Sequence, residues 1–187
     1  MGKSTPTFQQ DVSAIADKLQ AADSILLTTH KQCDGDGLGA ILGLYHALKP
    51  TGKKVRILMV DEIPKKYSFL EGDEYAEVFE GPHDPVVDTD ICLIFDTNDY
   101  RLVEPLWSVL VDNCKEVLFV DHHPILQQGP LPTNGSYINT DAASTGEVAY
   151  YIIKEMNLEL NEKSARALYT SISFDTQLFR YVKARPN

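Results

Sequence analysis

The chain has 187 residues, with 17 Lys and Arg against 27 Asp and Glu, for a net charge of −10. That length suits one domain of roughly 100–200 residues, and 43% apolar with 24% charged residues is the composition of a folded globule rather than a disordered chain. The acidic balance argues against a basic surface that clamps long nucleic acid through its phosphates, while phosphorylated substrates stay open because bound divalent cations reverse the local sign.

Phe8, Val12, Ile15 and Leu19 fall at helical spacing and predict an amphipathic helix over 8–21. Ile25 to Thr29 is an apolar run with a β-branched end, predicting a first strand, and His30-Lys31-Gln32-Cys33-Asp34-Gly35-Asp36-Gly37 follows it. A helix is expected from about Asp36 to just before Pro50 and Gly52, since Gly and Pro mark helix ends. Val55–Val60, Ile91–Phe95 and Val117–Val120 read as three further strands, with Tyr137–Ile138 as a short fifth. Leu102, Val103, Leu106, Leu110 and Val111 predict a helix. Ser144-Thr145-Gly146-Glu147 has the form of a capping box opening another, and Ala165, Leu168 and Ile172 mark a last one, followed by Asp175. Continuous apolar strands separated by helices indicate a parallel sheet covered on both faces. The expected architecture is therefore one α/β domain over residues 1–187, a parallel sheet of about five strands flanked by helices.

Three cysteines, Cys33, Cys92 and Cys114, without Cys-x-x-Cys spacing argue against a disulfide framework or zinc ribbon and for a reducing cytoplasm. The opening Met-Gly-Lys-Ser-Thr-Pro lacks a signal peptide's apolar core, and Pro6 breaks the myristoylation pattern. No run approaches the ~20 apolar residues that span a bilayer. A soluble cytoplasmic protein with no membrane partner is expected.

Ligands of open α/β sheets bind outside the carboxyl ends of the strands, so the residues after each apolar run carry most information. His30, Asp34 and Asp36 follow the first strand, Asp96 follows the third, Asp121-His122-His123 the fourth, and Asp175 the last helix. Each has an ordinary reading alone: Asp-Gly pairs form turns, and Asp residues cap helices or close Asx turns. Turn chemistry does not, however, require His beside Asp at the ends of separate strands, and uncompensated carboxylates at one site repel. A metal site explains the set better. Oxygen-rich ligation with imidazoles favours Mn²⁺, with Mg²⁺, Fe²⁺ or Co²⁺ as substitutes; Cys33 fits such a set poorly and reads as a packing residue.

Two other motifs fail their tests. A calcium loop starting at Asp34 would need Asp or Asn at Leu38 and Glu at Tyr45. Gly35, Gly37 and Ala40, with Asp61 after the second strand, mimic a dinucleotide fingerprint. The stretch from His30 to Asp34 nevertheless separates strand from glycines, where the fingerprint wants a tight turn.

The ordered set of His30-x-x-x-Asp34-Gly-Asp36, Asp96, Asp121-His122-His123 and Asp175 before Phe179-Arg180-Tyr181 resembles the four-motif pattern of the DHH phosphoesterase family, in its RecJ-like, nanoRNase and phosphoadenosine-phosphate phosphatase branch, over about residues 24–182. The resemblance implies an N-terminal catalytic domain with a two-manganese site. One ion would take His30, Asp34 and Asp96; the other Asp36, the shared Asp96, His122 and Asp175. Asp121 would orient an imidazole, His123 would act catalytically on the substrate phosphate, and Arg180 would be a phosphate contact. The implied activity is hydrolysis of phosphoester bonds in short oligonucleotides or small nucleotides, cyclic dinucleotides included, and a homodimer is compatible with it. An inorganic pyrophosphatase and a non-catalytic metal- or nucleotide-binding module are the alternatives. Family members of this branch carry a second, C-terminal domain with a Gly-Gly-Gly-His loop; none occurs here, so a piece of a longer enzyme is expected, with a single-domain member as the alternative. Lys31, Arg180, Lys183 and Arg185 are the basic residues near the motifs.

Overall fold

The structure, a computed structural model, describes residue 8, residues 11–81 and residues 88–181. Lys183 and Arg185, the opening hexapeptide and part of the first predicted helix lie outside the described residues. Eleven main elements follow in order: α1 (Ser13–Ala21), β1 (Ser24–Thr29), α2 (Gly35–Leu48), β2 (Lys54–Met59), β3 (Ala76–Val78), β4 (Thr89–Phe95), α3 (Leu106–Asn113), β5 (Cys114–Asp121), β6 (Tyr137–Ile138), α4 (Thr145–Glu155) and α5 (Glu162–Asp175).

The strands form one sheet in the order β3-β2-β1-β4-β5-β6, and every neighbouring pair is parallel. The chain first builds outward from β1 through β2 to β3, then returns to place β4 on the other side of β1. The order therefore reverses between β1 and β4, which makes their carboxyl ends the crevice where doubly wound sheets bind ligands. Alternation along the strands divides the core. Ile25 and Leu27 of β1 and Leu93 of β4 face α1, α2, α4 and α5, whereas Leu26, Cys92 and Ile94 face Leu106 and Leu110 of α3.

The thick side of the sandwich has an inner and an outer layer. All 14 residues of α2 are buried, the expected state for a helix apolar on every side, because α4 and α5 cover it. Gly39 makes this close: a Cβ there would lie 2.5 Å from the Ala167 carbonyl oxygen and 2.8 Å from Ser171 Cβ. Backbone-to-backbone packing of α2 on α5 sets how near Asp36 and Asp175 come to each other.

Three elements differ from the sequence expectation. The helix predicted through Leu102 is split into a single 3₁₀ turn, Tyr100–Leu102, and α3, because Pro105 cannot sit in a helix interior. The described helix α1 starts at Ser13, where the Asp11 carboxylate accepts the Ser13 N–H at 3.0 Å. A sixth strand, β3, joins the five expected; three residues on an edge are too few to show a period. The Ser144 hydroxyl caps α4 as expected, accepting the Glu147 N–H at 3.1 Å, and the Glu147 carboxylate reaches back to accept the Ala143 N–H at 2.7 Å. Among the described residues no helix is long and apolar enough to cross a membrane.

Candidate metal centre

At the switch point, the ends of β1, β4 and β5 and the termini of α2, α4 and α5 meet. His30 leaves β1, and its Nδ1–H donates to the Lys31 carbonyl at 2.8 Å, turning Nε2 toward Asp96 Oδ2 at 3.5 Å. Asp34 is the N-cap of α2: its Oδ1 accepts the N–H groups of Asp36 and Gly37 at 2.9 and 3.4 Å. Its turn-and-cap reading and its site reading hold together. Asp96 directly follows β4 with φ at +64°, a left-handed backbone that is strained for a residue with a Cβ and recurs at functional sites. Gly37 leaves room for it, since a Cβ there would lie 2.2 Å from Thr29 Oγ1 and 3.1 Å from Asp96 Oδ2.

These side chains fall into three groups whose ligand atoms lie within 4.8 Å of one another: His30 with Asp34 and Asp96, Asp36 with His122 and Asp175, and Asp96 with His122 and His123. Asp96 faces the first two as well. Its Oδ2 is the oxygen near His30, and its Oδ1 lies 3.9 Å from His122 Nε2. His122 Nδ1 is 3.4 Å from the Ala142 carbonyl. Its Nε2 is buried without a hydrogen-bond partner, 3.3 Å from Asp36 Oδ2 and 3.2 Å from Asp175 Oδ2. A buried polar atom without a partner costs on the order of 1–3 kcal/mol. An imidazole nitrogen aimed between two carboxylates, with its other nitrogen tied to a carbonyl, is the arrangement of a metal-ligating histidine.

Electrostatics points the same way. Burial, with Asp36 and Asp34 nearby and against the pull of His30, pushes the Asp96 carboxyl up to about 8. Burial and Asp36 also raise Asp175. A divalent cation would relieve the repulsion that raises Asp96 and Asp175, and an oxygen-rich set with imidazoles suits a hard or borderline ion.

His123 is placed differently from His122. It is exposed, and its Nδ1 meets the buried Asp121 Oδ1 at 2.9 Å, a bond that holds the imidazole up to about 9. Asp121 is fixed in turn by Asn98 Nδ2 at 2.6 Å and by the His122 N–H at 2.8 Å. Asp121 and His123 line a cleft of 460 Å³ together with His30, Asp34, Asp96 and Asp175. Arg180 is not brought among these residues; it lines a separate groove with Phe69, Tyr169, Phe174 and Leu178, beyond three consecutive left-handed residues, Gln177 to Phe179. Asp61, the acid of the dinucleotide decoy, is taken up by the Gln32 N–H at 2.7 Å.

Sequence reasoning missed part of the support. The first turn of α4 points at the ligands: the N–H groups of Thr145 and Gly146 donate to the two Asp36 oxygens at 2.8 and 3.2 Å, and Thr145 Oγ1 donates to Asp96 Oδ1 at 3.1 Å. Ser171 Oγ of α5 also donates to Asp36 Oδ1. The capping box gave a signal for Thr145, since it marks a helix start whose free N–H groups seek acceptors. Nothing in sequence singled out Ser171 or Asn98.

Fold and site thus define a doubly wound α/β domain with a carboxylate–imidazole cluster at its switch point. Residues 24–172 match the DHH family, N-terminal domain, and the chain belongs to the DHH family. It is 28% identical over 187 residues to the bifunctional oligoribonuclease and PAP phosphatase NrnA of Thermus thermophilus, covering 97% of this chain and 52% of that protein. To the protein of the same name from Mycoplasma pneumoniae it is 25% identical over 175 residues, covering 94% and 52%. Among solved structures, an exopolyphosphatase-related protein of Bacteroides fragilis superposes with a TM-score of 0.82 at 20% identity, over 93% of this chain and 52% of that one. Exonuclease RecJ, in a crystal structure with manganese bound, superposes with a TM-score of 0.54 at 15% identity, over 95% and 44%. The chain spans about half the length of these relatives.

Proposed function

We propose that residues 1–187 form the catalytic domain of a two-metal phosphoesterase that hydrolyses phosphoester bonds in short oligonucleotides or small nucleotides. The observation that carries this is the buried, unpartnered Nε2 of His122 facing Asp36 and Asp175, beside a second ligand group that shares Asp96. His30, Asp34 and Asp96 would hold one ion, and Asp36, Asp96, His122 and Asp175 the other. Mn²⁺ is the proposed ion, with Mg²⁺, Co²⁺ or Fe²⁺ as substitutes, and the manganese described for RecJ supports it. When bound, such ions supply the Lewis acidity that activates water and stabilises charge on a reacting phosphoryl group.

The chain's own residues do the rest. The Asp121 carboxylate accepts from His123 Nδ1 and favours the charged imidazole, whose Nε2–H would be available at the cleft that His123 lines. There it would donate to a phosphate oxygen as negative charge grows on it. Asn98 and the His122 N–H keep Asp121 in place. The names of the Thermus and Mycoplasma relatives, oligoribonuclease and PAP phosphatase, support nucleotide substrates, and three free, buried cysteines support a reducing cytoplasm.

Hydrolysis assays with Mn²⁺ on a dinucleotide, a cyclic dinucleotide, phosphoadenosine phosphate, bis-p-nitrophenyl phosphate and pyrophosphate test the proposal. Cleavage of the dinucleotide or of phosphoadenosine phosphate is expected. Cleavage of pyrophosphate alone would make the protein a pyrophosphatase, and two bound ions with no turnover on any substrate would make it a binding module.

A further inference from the structure

Gly35 opens α2 between two proposed ligands, Asp34 and Asp36. Among the described residues the left-handed glycines are Gly52, Gly81 and Gly135. Gly35 is not one of them, so no turn demands it, and glycine in a helix costs stability relative to alanine. Space demands it instead. A Cβ at Gly35 would lie 2.9 Å from Phe174 Cγ and 3.0 Å from both Cβ and Cδ2 of Phe174, inside the distance at which carbon atoms attract. The Phe174 side chain therefore lies directly on the Gly35 backbone.

Phe174 does little for the hydrophobic core. It is 42% exposed and lines the outer groove with Phe69 and Leu178. What it joins are ligands. It immediately precedes Asp175 in the last turn of α5, and it rests on the chain between Asp34 and Asp36. The Asp34 carboxylate accepts the N–H groups of Asp36 and Gly37, so Asp34, Gly35 and Asp36 are held as one unit. One turn earlier on α5, Ser171 Oγ donates to Asp36 Oδ1 and ties the helix to a single ligand; Phe174 ties it to the backbone between two. Asp34 belongs to one ligand group, Asp36 and Asp175 to another, so this contact spans both. A flat, rigid ring fills the slot left by the missing Cβ, where a smaller side chain would let the end of α5 shift. Metal ligands tolerate little such movement, since a site works only when its groups are locked by the packing behind them.

Resting on the two-metal reading above, we propose that Phe174 is a positioning residue: seated on Gly35, its ring fixes Asp175 against Asp34 and Asp36 and thereby sets the affinity for the metal ions.

The test is a set of equilibrium Mn²⁺ titrations of the whole chain, independent of turnover. Phe174→Ala is expected to weaken Mn²⁺ binding ~tenfold or more, the scale for groups that orient metal ligands. Phe174→Tyr, which keeps the ring, should bind as the parent does. Gly35→Ala should also weaken binding, because its Cβ displaces the ring. In the Phe174→Ala background the same Gly35→Ala change should cost nothing further, since the space is already empty; such non-additivity marks residues that act through each other, and a merely structural role for Phe174 elsewhere would not produce it. Melting curves of the metal-free variants check folding, and Phe174→Leu, which lacks the flat ring, replaces an Ala variant that does not fold, with the same loss expected. Parental affinity in Phe174→Ala, or an equal cost of Gly35→Ala in both backgrounds, would overturn the proposal. A parent that binds no Mn²⁺ overturns both this proposal and the metal reading. If the substrate panel shows no turnover while the two changes couple as expected, the phosphoesterase reading fails and the positioning role stands; turnover with additive effects has the opposite meaning.

Discussion

Thr145 Oγ1 donates a hydrogen bond to Asp96 Oδ1 at 3.1 Å, while the Thr145 backbone N–H donates to Asp36 Oδ2 at 2.8 Å. One residue in the first turn of α4 therefore positions a carboxylate at the end of β4 and another on α2. The positive end of a helix dipole favours negative charge there, so Asp36 is held as an acceptor before any ion arrives. Removing groups that orient ligands typically costs 10–100-fold in metal affinity. Thr145→Val, which keeps shape and backbone but loses the hydroxyl, should weaken Mn²⁺ binding by about that much, and Thr145→Ser should restore it. Equal dissociation constants for the Val variant and the parent would show that Asp96 needs no such tether.

Asp96 faces both ligand groups, so Asp96→Asn should remove both ions where loss of any other single ligand loosens one. Metal analysis after dialysis is expected to give two Mn²⁺ per chain for the parent and none for the variant. Chelator should also lower the melting temperature of the loaded parent, because free ion at a hundredfold above its dissociation constant adds ~2.7 kcal/mol per independent site. Two tightly held ions in Asp96→Asn would overturn the shared-ligand assignment.

The two adjacent histidines should separate in their effects. His122 is buried among the carboxylates, and His122→Ala should empty or loosen one metal position. His123 is exposed and bound to Asp121, so His123→Ala should keep its metal and lose turnover by ~100-fold or more, the scale of removing a charge-stabilising donor. Metal loss of the same size in both variants would contradict this division.

Gly39→Ala tests the packing that brings α5 to the site. Its Cβ would lie 2.5 Å from the Ala167 carbonyl oxygen, and backbone cannot rotate away as a flexible side-chain tip can. Overpacking of this kind costs roughly 1–3 kcal/mol, read as a lower urea midpoint. Because the shift moves Asp175 relative to Asp36, metal affinity should fall as well. Unchanged stability would mean that α2 and α5 separate without cost.

Asp90 gives a pH dependence far from the ligands. Its hydrogen bond with Lys115 at 2.6 Å, followed by the Ser24 and Asp23 N–H groups at 2.9 Å each, holds its carboxyl well below the usual carboxylate range. A depressed native pKa contributes stability above the unfolded value, near 4, and that contribution is lost as pH falls through the native value. Asp90→Asn should therefore be less stable than the parent at pH 7, and the two urea midpoints should converge as the pH is lowered below about 4. A constant gap down to pH 2 would assign the effect to something other than this ionisation.

His30, Asp34, Asp36, Asp96 and His122 were legible in the sequence because a parallel sheet places every strand's carboxyl end on one edge, so residues directly after apolar runs must gather there. The capping box and the long buried helix α2 were legible for equally local reasons, a side chain reaching its own turn and an unbroken apolar run. Tertiary structure decided what depends on distances across the chain. Ser171 meets Asp36 only because Gly39 lets α5 lie against α2, and Asn98 meets Asp121 only because β4 and β5 are neighbours in the sheet. Arg180, near Asp175 in sequence, lines a different groove because the left-handed residues from Gln177 to Phe179 turn the chain beyond α5. Sequence periodicity reports which face of an element is buried and where the element stops. It carries no information about which small polar side chain of one helix will stand within hydrogen-bond reach of a carboxylate on another, since close packing between elements sets that distance.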